Sequence, residues 1–308
     1  MNKILISGGT GTFGNALVRR LLSLTTGGPS RIVIYSRDEQ KQDVMAREFD
    51  DSERMRFFIG DIRDIDRLTM AMKGVDTVFH AAALKVVPIG EYNPFEFVGT
   101  NVIGAENIVR ASLQAGVRRV VALSTDKCVS PINLYGATKL CAEKIFMAAH
   151  ALAAGDCLYS VVRYGNVVGS RGSVVPLFRK LAAQGKRLPL TDARMTRFWL
   201  TIDQAVDFVL SSMGRMQGRE VFVPKIPSIR IIDLVTAMSK MEPEIIGIRP
   251  GEKLHETLLT EDEAPYTTIE SDRFIIRKDM SGTVPDPFRY SSDTNNVWLS
   301  AEQLRGML

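Results

Sequence analysis

Ser7-Gly8-Gly9-Thr10-Gly11-Thr12-Phe13-Gly14 follows directly on an apolar run, residues 3–7, and leads into a segment of helical period, residues 13–23. Strand, glycine loop and helix in that order open a βαβ unit. Glycine at 8, 11 and 14 lets the backbone turn tightly and approach a pyrophosphate, held by N–H groups and the positive end of the helix dipole. Alone, such a loop can be an ordinary strand-to-helix turn. In this position it predicts a dinucleotide site built from Gly8, Thr10, Gly11, Thr12, Phe13 and Gly14.

Outward from that loop, short apolar runs alternate with longer amphipathic ones. Strands are predicted at 3–7, 31–36, 56–59, 75–81, 117–124 and 159–164, with helices at 13–23, 39–49, 65–72, 95–115 and 134–153. The pattern is that of an α/β chain, a Rossmann-like doubly wound parallel sheet with a smaller C-terminal substrate-binding lobe. Residues 1–165 are expected to form the dinucleotide-binding domain and 166–308 the smaller lobe. There the rhythm loosens, with helices near 174–184, 202–213 and 231–239 and short strands near 188–190, 220–223 and 244–248. Ligands in such folds sit beyond the carboxyl ends of the strands, so the residues just after each strand matter most.

The bulk properties agree with a globular chain. The chain has 308 residues, 45% apolar and 24% charged, with a net charge of +4, well short of the basic stripe of a nucleic-acid binder. Three cysteines, Cys128, Cys141 and Cys157, show no CxxC spacing, and His80, His150 and His255 are scattered, so no metal is expected. No run approaches 18 apolar residues, and the N-terminus enters the first strand at once. An unexported, cytoplasmic chain without a membrane span is the expectation.

The second strand ends Tyr35-Ser36-Arg37-Asp38, with Lys41 one helical turn on. Arg37 suits bidentate contact with a 2′-phosphate, Ser36 adds a hydrogen bond and Lys41 a charge. Asp38 argues for ribose hydroxyls instead, but the cations favour NADP. Asp61 and Ile62 are expected to flank the adenine, although an Asp there also suits a helix N-cap.

The fifth strand runs into Ser124-Thr125-Asp126-Lys127, and the following helix carries Tyr135 and Lys139 at i and i+4, on one face. That spacing places the Lys139 ammonium beside the Tyr135 phenol. Together with the glycine loop, His80-Ala81-Ala82-Ala83 and Arg249-Pro250-Gly251-Glu252-Lys253, these residues resemble the extended short-chain dehydrogenase/reductase family, whose members work on nucleotide-linked sugars. Ala83-Leu84-Lys85, Thr125-Asp126-Lys127, Pro131 to Lys139 and Met195-Thr196-Arg197-Phe198 look like its inverting UDP-N-acetylglucosamine 4,6-dehydratase branch, which opens pseudaminic acid biosynthesis.

The resemblance implies a reaction with oxidation at carbon 4, loss of water across carbons 5 and 6, and hydride return to carbon 6 of a UDP-sugar. Tyr135 and Lys139 would serve the oxidation, Thr125 would orient a hydroxyl, and Asp126 and Lys127 would be acid and base. Lysine acts as a base only when neutral, which requires lowering its pKa from about 10.4 to about 7–8, roughly 4 kcal/mol. The alternative for Asp126 and Lys127 is an ion pair closing a loop. Ala81, Ala82, Lys85 and Val167 are expected at a tightly bound NADP. Lys85, Asn166, Arg171, Val174, Leu188, Leu190, Arg197, Arg249 and Glu252 are expected at the sugar nucleotide.

Other functions stay open at this point. The related 4,6-dehydratase/5-epimerase of N-acetyl-L-fucosamine synthesis for capsule or lipopolysaccharide shares the lysine. A 4-epimerase has no need of an acid/base pair at carbons 5 and 6. A non-catalytic NADP sensor has no use for Tyr135, Lys139, Asp126 and Lys127 together. The long helices suggest a homo-oligomer, as a dimer or hexamer.

Overall fold

Strand β1 (Lys3–Ser7) is followed by α1 (Thr12–Leu22), β2 (Arg31–Ser36), α2 (Glu39–Glu48), β3 (Met55–Ile59), α3 (Ile65–Met72) and β4 (Thr77–His80) in a computed structural model that describes residues 2–170, 172–285 and 287–308. The chain continues through α4 (Val87–Tyr92), α5 (Pro94–Phe97), a π-helical turn (Val98–Ile103), α6 (Gly104–Ala115), β5 (Arg119–Leu123), a 3-10 turn (Asp126–Cys128), α7 (Leu134–Leu152) and β6 (Leu158–Val162). Then come β7 (Asn166–Val167), α8 (Val174–Ala183), β8 (Pro189–Leu190), β9 (Thr196–Leu200), α9 (Ile202–Arg215), β10 (Val221–Pro224), β11 (Ser228–Arg230) and α10 (Ile231–Met238). The last elements are β12 (Glu244–Ile245), β13 (Thr257–Leu259), a 3-10 segment (Glu261–Tyr266), β14 (Thr267–Ile269), β15 (Arg273–Ile276), β16 (Tyr290–Ser291) and α11 (Ala301–Met307).

The main sheet has nine strands in the order β14-β15-β10-β6-β5-β4-β1-β2-β3. Strands β1 to β6 and β10 run parallel, while β15 and β14 add antiparallel to the edge. The order reverses between β1 and β4, which opens a crevice at their carboxyl ends. Both faces of the sheet are covered, so its strands read as continuous apolar runs. Ile4, Leu5 and Ile6 of β1 are all fully buried, Leu5 toward one helical layer and Ile4 and Ile6 toward the other. A third core, with Val175, Phe178, Leu188, Leu190, Trp199 and Leu234, holds the smaller lobe together.

The order of elements expected up to residue 165 is present, with two refinements. The helix expected over 95–115 is broken by the π-helical turn at Val98–Ile103. There the Asn101 side chain accepts from Leu84 N–H at 2.9 Å and donates to Leu84 C=O at 2.9 Å and to Thr138 Oγ1 at 3.0 Å. The extra residue in the turn aims a buried amide at the loop beyond β4, a use to which π-turns are often put. Secondly, the sheet does not end with the sixth strand, because β10, β15 and β14 from beyond residue 165 complete it. Among the described residues no helix is long and apolar enough to cross a membrane.

Candidate active site

A cleft of about 890 Å³ lies over the carboxyl ends of β1, β2, β4 and β5 and is closed on the other side by the smaller lobe. At its base is the glycine loop. Gly8 has φ +68°, and a Cβ there would stand 2.8 Å from the Ala82 backbone. A Cβ on Gly14 would stand 2.1 Å from the Gly9 carbonyl oxygen, so α1 packs on the loop only without a side chain. Gly11 caps α1 without a side-chain hydrogen bond. The result is a backbone cradle at a helix N-terminus, shaped as a dinucleotide pyrophosphate requires.

Every expected dinucleotide contact lines this cleft: Gly8, Thr10, Gly11, Thr12, Phe13, Gly14, Ser36, Arg37, Lys41, Asp61, Ile62, Ala81, Ala82, Lys85, Tyr135, Lys139 and Val167. At the ribose end Asp38 is already engaged. Its carboxylate caps α2 by accepting from Lys41 N–H at 3.0 Å and also binds the Lys41 ammonium, which holds its pKa below the usual carboxylate range. Arg37 reaches only Asp61, at 3.5 Å, and Asp61 is shared with Arg63 at 2.7 Å.

The reacting end is built by the turn after β5. Thr125 Oγ1 donates to Asp126 Oδ1 at 2.9 Å and accepts from Lys127 N–H at 3.3 Å. Asp126 is fully buried, and Lys127 Nζ donates to its Oδ1 at 2.9 Å. Lys127 is 26% exposed, lines the cleft, and has a second carboxylate, Glu256, at 3.5 Å. Desolvation opposes its charge, but Asp126 and Glu256 outweigh it, so the Lys127 pKa is raised. The amine that chemistry at carbon 5 needs neutral is therefore an ammonium here, and the ion pair weighed from the sequence is present.

Tyr135 lies at the start of α7, which Asn133 caps by accepting from Gly136 N–H at 2.8 Å. Burial pushes the phenol up to about 12, while the Lys127 charge and a side-chain hydrogen bond with Thr125 pull it down. Lys139, expected beside this phenol, lines the same cleft and donates to the Leu123 carbonyl at 2.6 Å. Lys127 is a cation that favours the Tyr135 phenolate. Beneath this turn Arg163, 3% exposed, joins Glu143 of α7 and Glu263 at 2.8 Å each, and Cys128 Sγ donates to Glu143 Oε1 at 2.9 Å. Burial and the Glu143 charge raise the Cys128 pKa, so this thiol is a packing group rather than a nucleophile.

On the sugar side, Asn166, Val174, Arg197, Arg249 and Glu252 line the cleft. Leu188 and Leu190 do not. Both are fully buried in the core of the smaller lobe, and their carbonyls accept from Glu244 and Ile246 N–H at 2.9 and 3.0 Å. Strand alternation turns their neighbours Pro189 and Thr191 to the cleft instead. Arg197 is also committed inward, donating to the carbonyls of Thr196, Leu254 and Lys253 at 2.7, 3.0 and 2.9 Å. Arg249 remains 62% exposed beside Glu252 at 3.0 Å. Arg171 lies outside the described residues. Asn166 Oδ1, Ser173 Oγ, Trp199 Nε1, Thr100 Oγ1 and Glu256 Oε2 all belong to cleft residues and are buried without a hydrogen-bond partner among the described residues. Buried polar atoms left so mark a place where a polar ligand completes the network. Of these, sequence reading missed Ser173, Trp199, Thr100 and Glu256, which stand in no recognisable spacing.

A family model described as polysaccharide biosynthesis protein matches residues 4–278. The chain belongs to this family. Among similar proteins, a relative named UDP-N-acetylglucosamine 4,6-dehydratase (inverting) from Campylobacter jejuni is 50% identical, covering 98% of this chain and 95% of its own. A relative named UDP-glucose 4-epimerase from Rickettsia massiliae is 43% identical over 84% of this chain and 78% of its own. The crystal structure of Pen from Bacillus thuringiensis superposes with a TM-score of 0.93 at 38% identity, covering 99% of this chain and 96% of that one. This polysaccharide biosynthesis protein thus has the dehydratase-like fold that its motifs predicted.

Proposed function

We propose that this protein is an inverting UDP-N-acetylglucosamine 4,6-dehydratase that works with NADP. The observation that carries the reading is the convergence of Thr125, Asp126, Lys127 and Tyr135 at one end of the dinucleotide cleft, an acid/base set with no use in simple epimerisation. The identity with the Campylobacter jejuni relative along nearly the whole chain supports it. Residues 1–165 supply the dinucleotide cradle, and residues 166–308 supply Asn166, Ser173, Trp199 and Arg249 for the sugar nucleotide.

The cleft over the glycine loop, with Gly8, Gly11, Tyr135 and Lys139 in its wall, would hold the dinucleotide, which when bound would supply hydride acceptance from carbon 4 and its return to carbon 6. Tyr135, once ionised to the phenolate, takes the proton of the carbon 4 hydroxyl, the nearby Lys127 charge and the Thr125 hydrogen bond favouring that ionised form. Lys139, anchored on Leu123, keeps α7 and the end of β5 in register and would offer its charge to a dinucleotide held in the cleft. Lys127 passes a proton to Asp126 along their 2.9 Å hydrogen bond, which leaves a neutral amine and a protonated carboxyl. The amine removes the hydrogen on carbon 5, and Asp126 protonates the departing carbon 6 hydroxyl. A proton returned to carbon 5 from the opposite face balances the one taken up by Tyr135.

NADP rather than NAD is favoured because Asp38 is occupied by its cap and by Lys41, while Arg37 faces the cleft. The Rickettsia relative supports a second reading, UDP-glucose 4-epimerase. Incubation with UDP-N-acetylglucosamine in heavy water separates the two. A 4-keto-6-deoxy product of L-arabino configuration with deuterium at carbon 5 is expected. Interconversion of UDP-hexoses without water loss would establish the epimerase, and a product of retained configuration would reject the inverting assignment.

A further inference from the structure

Glu256 lies just before β13, and no motif singles it out. Its side chain is 3% exposed, with Oε1 at 3.5 Å from Lys127 Nζ and 3.9 Å from Arg197 Nε. Oε2 stands 4.0 Å from Lys253 Nζ and has no hydrogen-bond partner among the described residues. Ser292 fixes the backbone, accepting from Glu256 N–H at 2.9 Å through Oγ and donating its own N–H to the Glu256 carbonyl at 2.8 Å. Glu252, 3.8 Å from Arg197, is the other carboxylate facing this group from the preceding loop. A carboxyl this buried is expensive to keep ionised. Desolvation raises its pKa, and Lys127, Arg197 and Lys253 oppose that rise.

Two carboxylates thus flank one amine, and they differ in role. Asp126 takes the hydrogen bond, whereas Glu256 stands beyond hydrogen-bond length. Once Lys127 has passed a proton to Asp126, that pair is neutral. The amine lone pair then bonds to the hydrogen of carbon 5, and the C–H electron pair moves into an enolate with the carbon 4 carbonyl. The carbon 6 hydroxyl departs as water with the proton of Asp126. While the new N–H bond forms, Asp126 carries no charge to offset the growing ammonium. Glu256 is the carboxyl group left beside it, 3.5 Å from Nζ.

We propose that Glu256 is a positioning residue that stabilises the Lys127 ammonium as it forms, so that it speeds proton removal at carbon 5 and leaves oxidation at carbon 4 untouched. The inference rests on the dehydratase reading given above. The test compares the natural protein, Glu256→Gln and Glu256→Asp as full-length, NADP-loaded proteins given UDP-N-acetylglucosamine in heavy water. Oxidation is followed by the near-ultraviolet absorbance of reduced nicotinamide, and elimination by deuterium at carbon 5 and release of keto product.

Glu256→Gln is expected to oxidise at the natural rate, accumulate reduced nicotinamide and lose about a hundredfold in elimination, with KM within about twofold. Glu256→Asp restores part of the elimination. Natural elimination by Glu256→Gln, or equal loss of oxidation and elimination in a folded variant, overturns the proposal. If the Gln variant does not fold, the partition measured with Glu256→Asp decides in the same way. A natural protein that neither oxidises nor dehydrates the sugar fails at the underlying reading instead, an outcome distinct from either.

Discussion

The Lys127 ammonium and the Asp126 carboxylate, neighbours in one 3-10 turn, meet at 2.9 Å on the floor of the cleft, and Thr125 holds the same oxygen from the other side. Consecutive side chains converge because the tight turn after β5 brings them to one side. Lys127→Ala is therefore expected to abolish both water loss and deuterium uptake at carbon 5, and to slow carbon 4 oxidation in part, because Tyr135 loses the Lys127 charge. Product analysis by NMR in heavy water checks this. Undiminished elimination would remove Lys127 from the mechanism.

Tyr135 is held protonated by burial, with a pKa of about 12 against an ordinary value of 10.0. Its ionised form does the work, so kcat should rise with pH through the neutral and mildly alkaline range. Tyr135→Phe should lower kcat by about 10²–10⁴-fold with little change in KM. Steady-state kinetics across pH measures both, and a flat profile in the natural protein would count against the phenol.

Arg37 faces the ribose end of the cleft while Asp38 is tied to Lys41. Arg37→Ala should weaken NADP by about tenfold or more and leave NAD nearly unchanged, the loss expected for one charge-assisted phosphate contact. Fluorescence titration of the two dinucleotides decides it, and tighter binding of NAD by the natural protein would reverse the assignment.

Arg163 is buried between Glu143 and Glu263 and joins β6, α7 and the segment before β14. Removing one partner of such a network strands charges out of water. Arg163→Ala should cost about 3–5 kcal/mol of stability by denaturant unfolding. A loss below about 1 kcal/mol would show that the two glutamates find other partners or water.

His80, fully buried at the end of β4, makes a 2.8 Å hydrogen bond with Ser7 through Nδ1, and desolvation with the Lys139 charge lowers its pKa to about 3. The folded protein thus binds this proton less readily than the unfolded chain. Its contribution to stability is complete above pH 6.5 and is lost as pH falls from there toward about 3. The slope approaches about 1.4 kcal/mol per pH unit. Thermal unfolding of His80→Asn should lack that part of the acid slope, and an identical slope in the variant would refute it.

Much of the fold was legible because the parallel sheet is buried on both faces and so writes itself as apolar runs between amphipathic helices. The glycine loop, Thr125 to Lys127 and Tyr135 were legible for a related reason, since each follows a strand or opens a helix at a fixed offset. What sequence could not show were pairings made far along the chain. Strand β7 has only two residues and is defined by its partner β9, and Arg273 and Phe274 of β15 gain meaning only opposite β10. Glu256 has no local pattern and becomes notable only where it meets Lys127. The i,i+4 rule gives proximity of Lys139 and Tyr135 on a helix face but does not reveal the carbonyl of Leu123 that takes the ammonium's hydrogen bond.

Strand β6 is hydrogen-bonded on its outer side to β10, which arrives only after β7, α8, β8, β9 and α9 have been made. While the ribosome is still making residues beyond 165, the completed first half would present an uncapped row of amides at β6, of the kind that recruits stray strands from other chains. Synthesis of this protein therefore carries a window of vulnerability. The antiparallel pair β15 and β14, which shields β10 in turn, acts as the clasp that closes it.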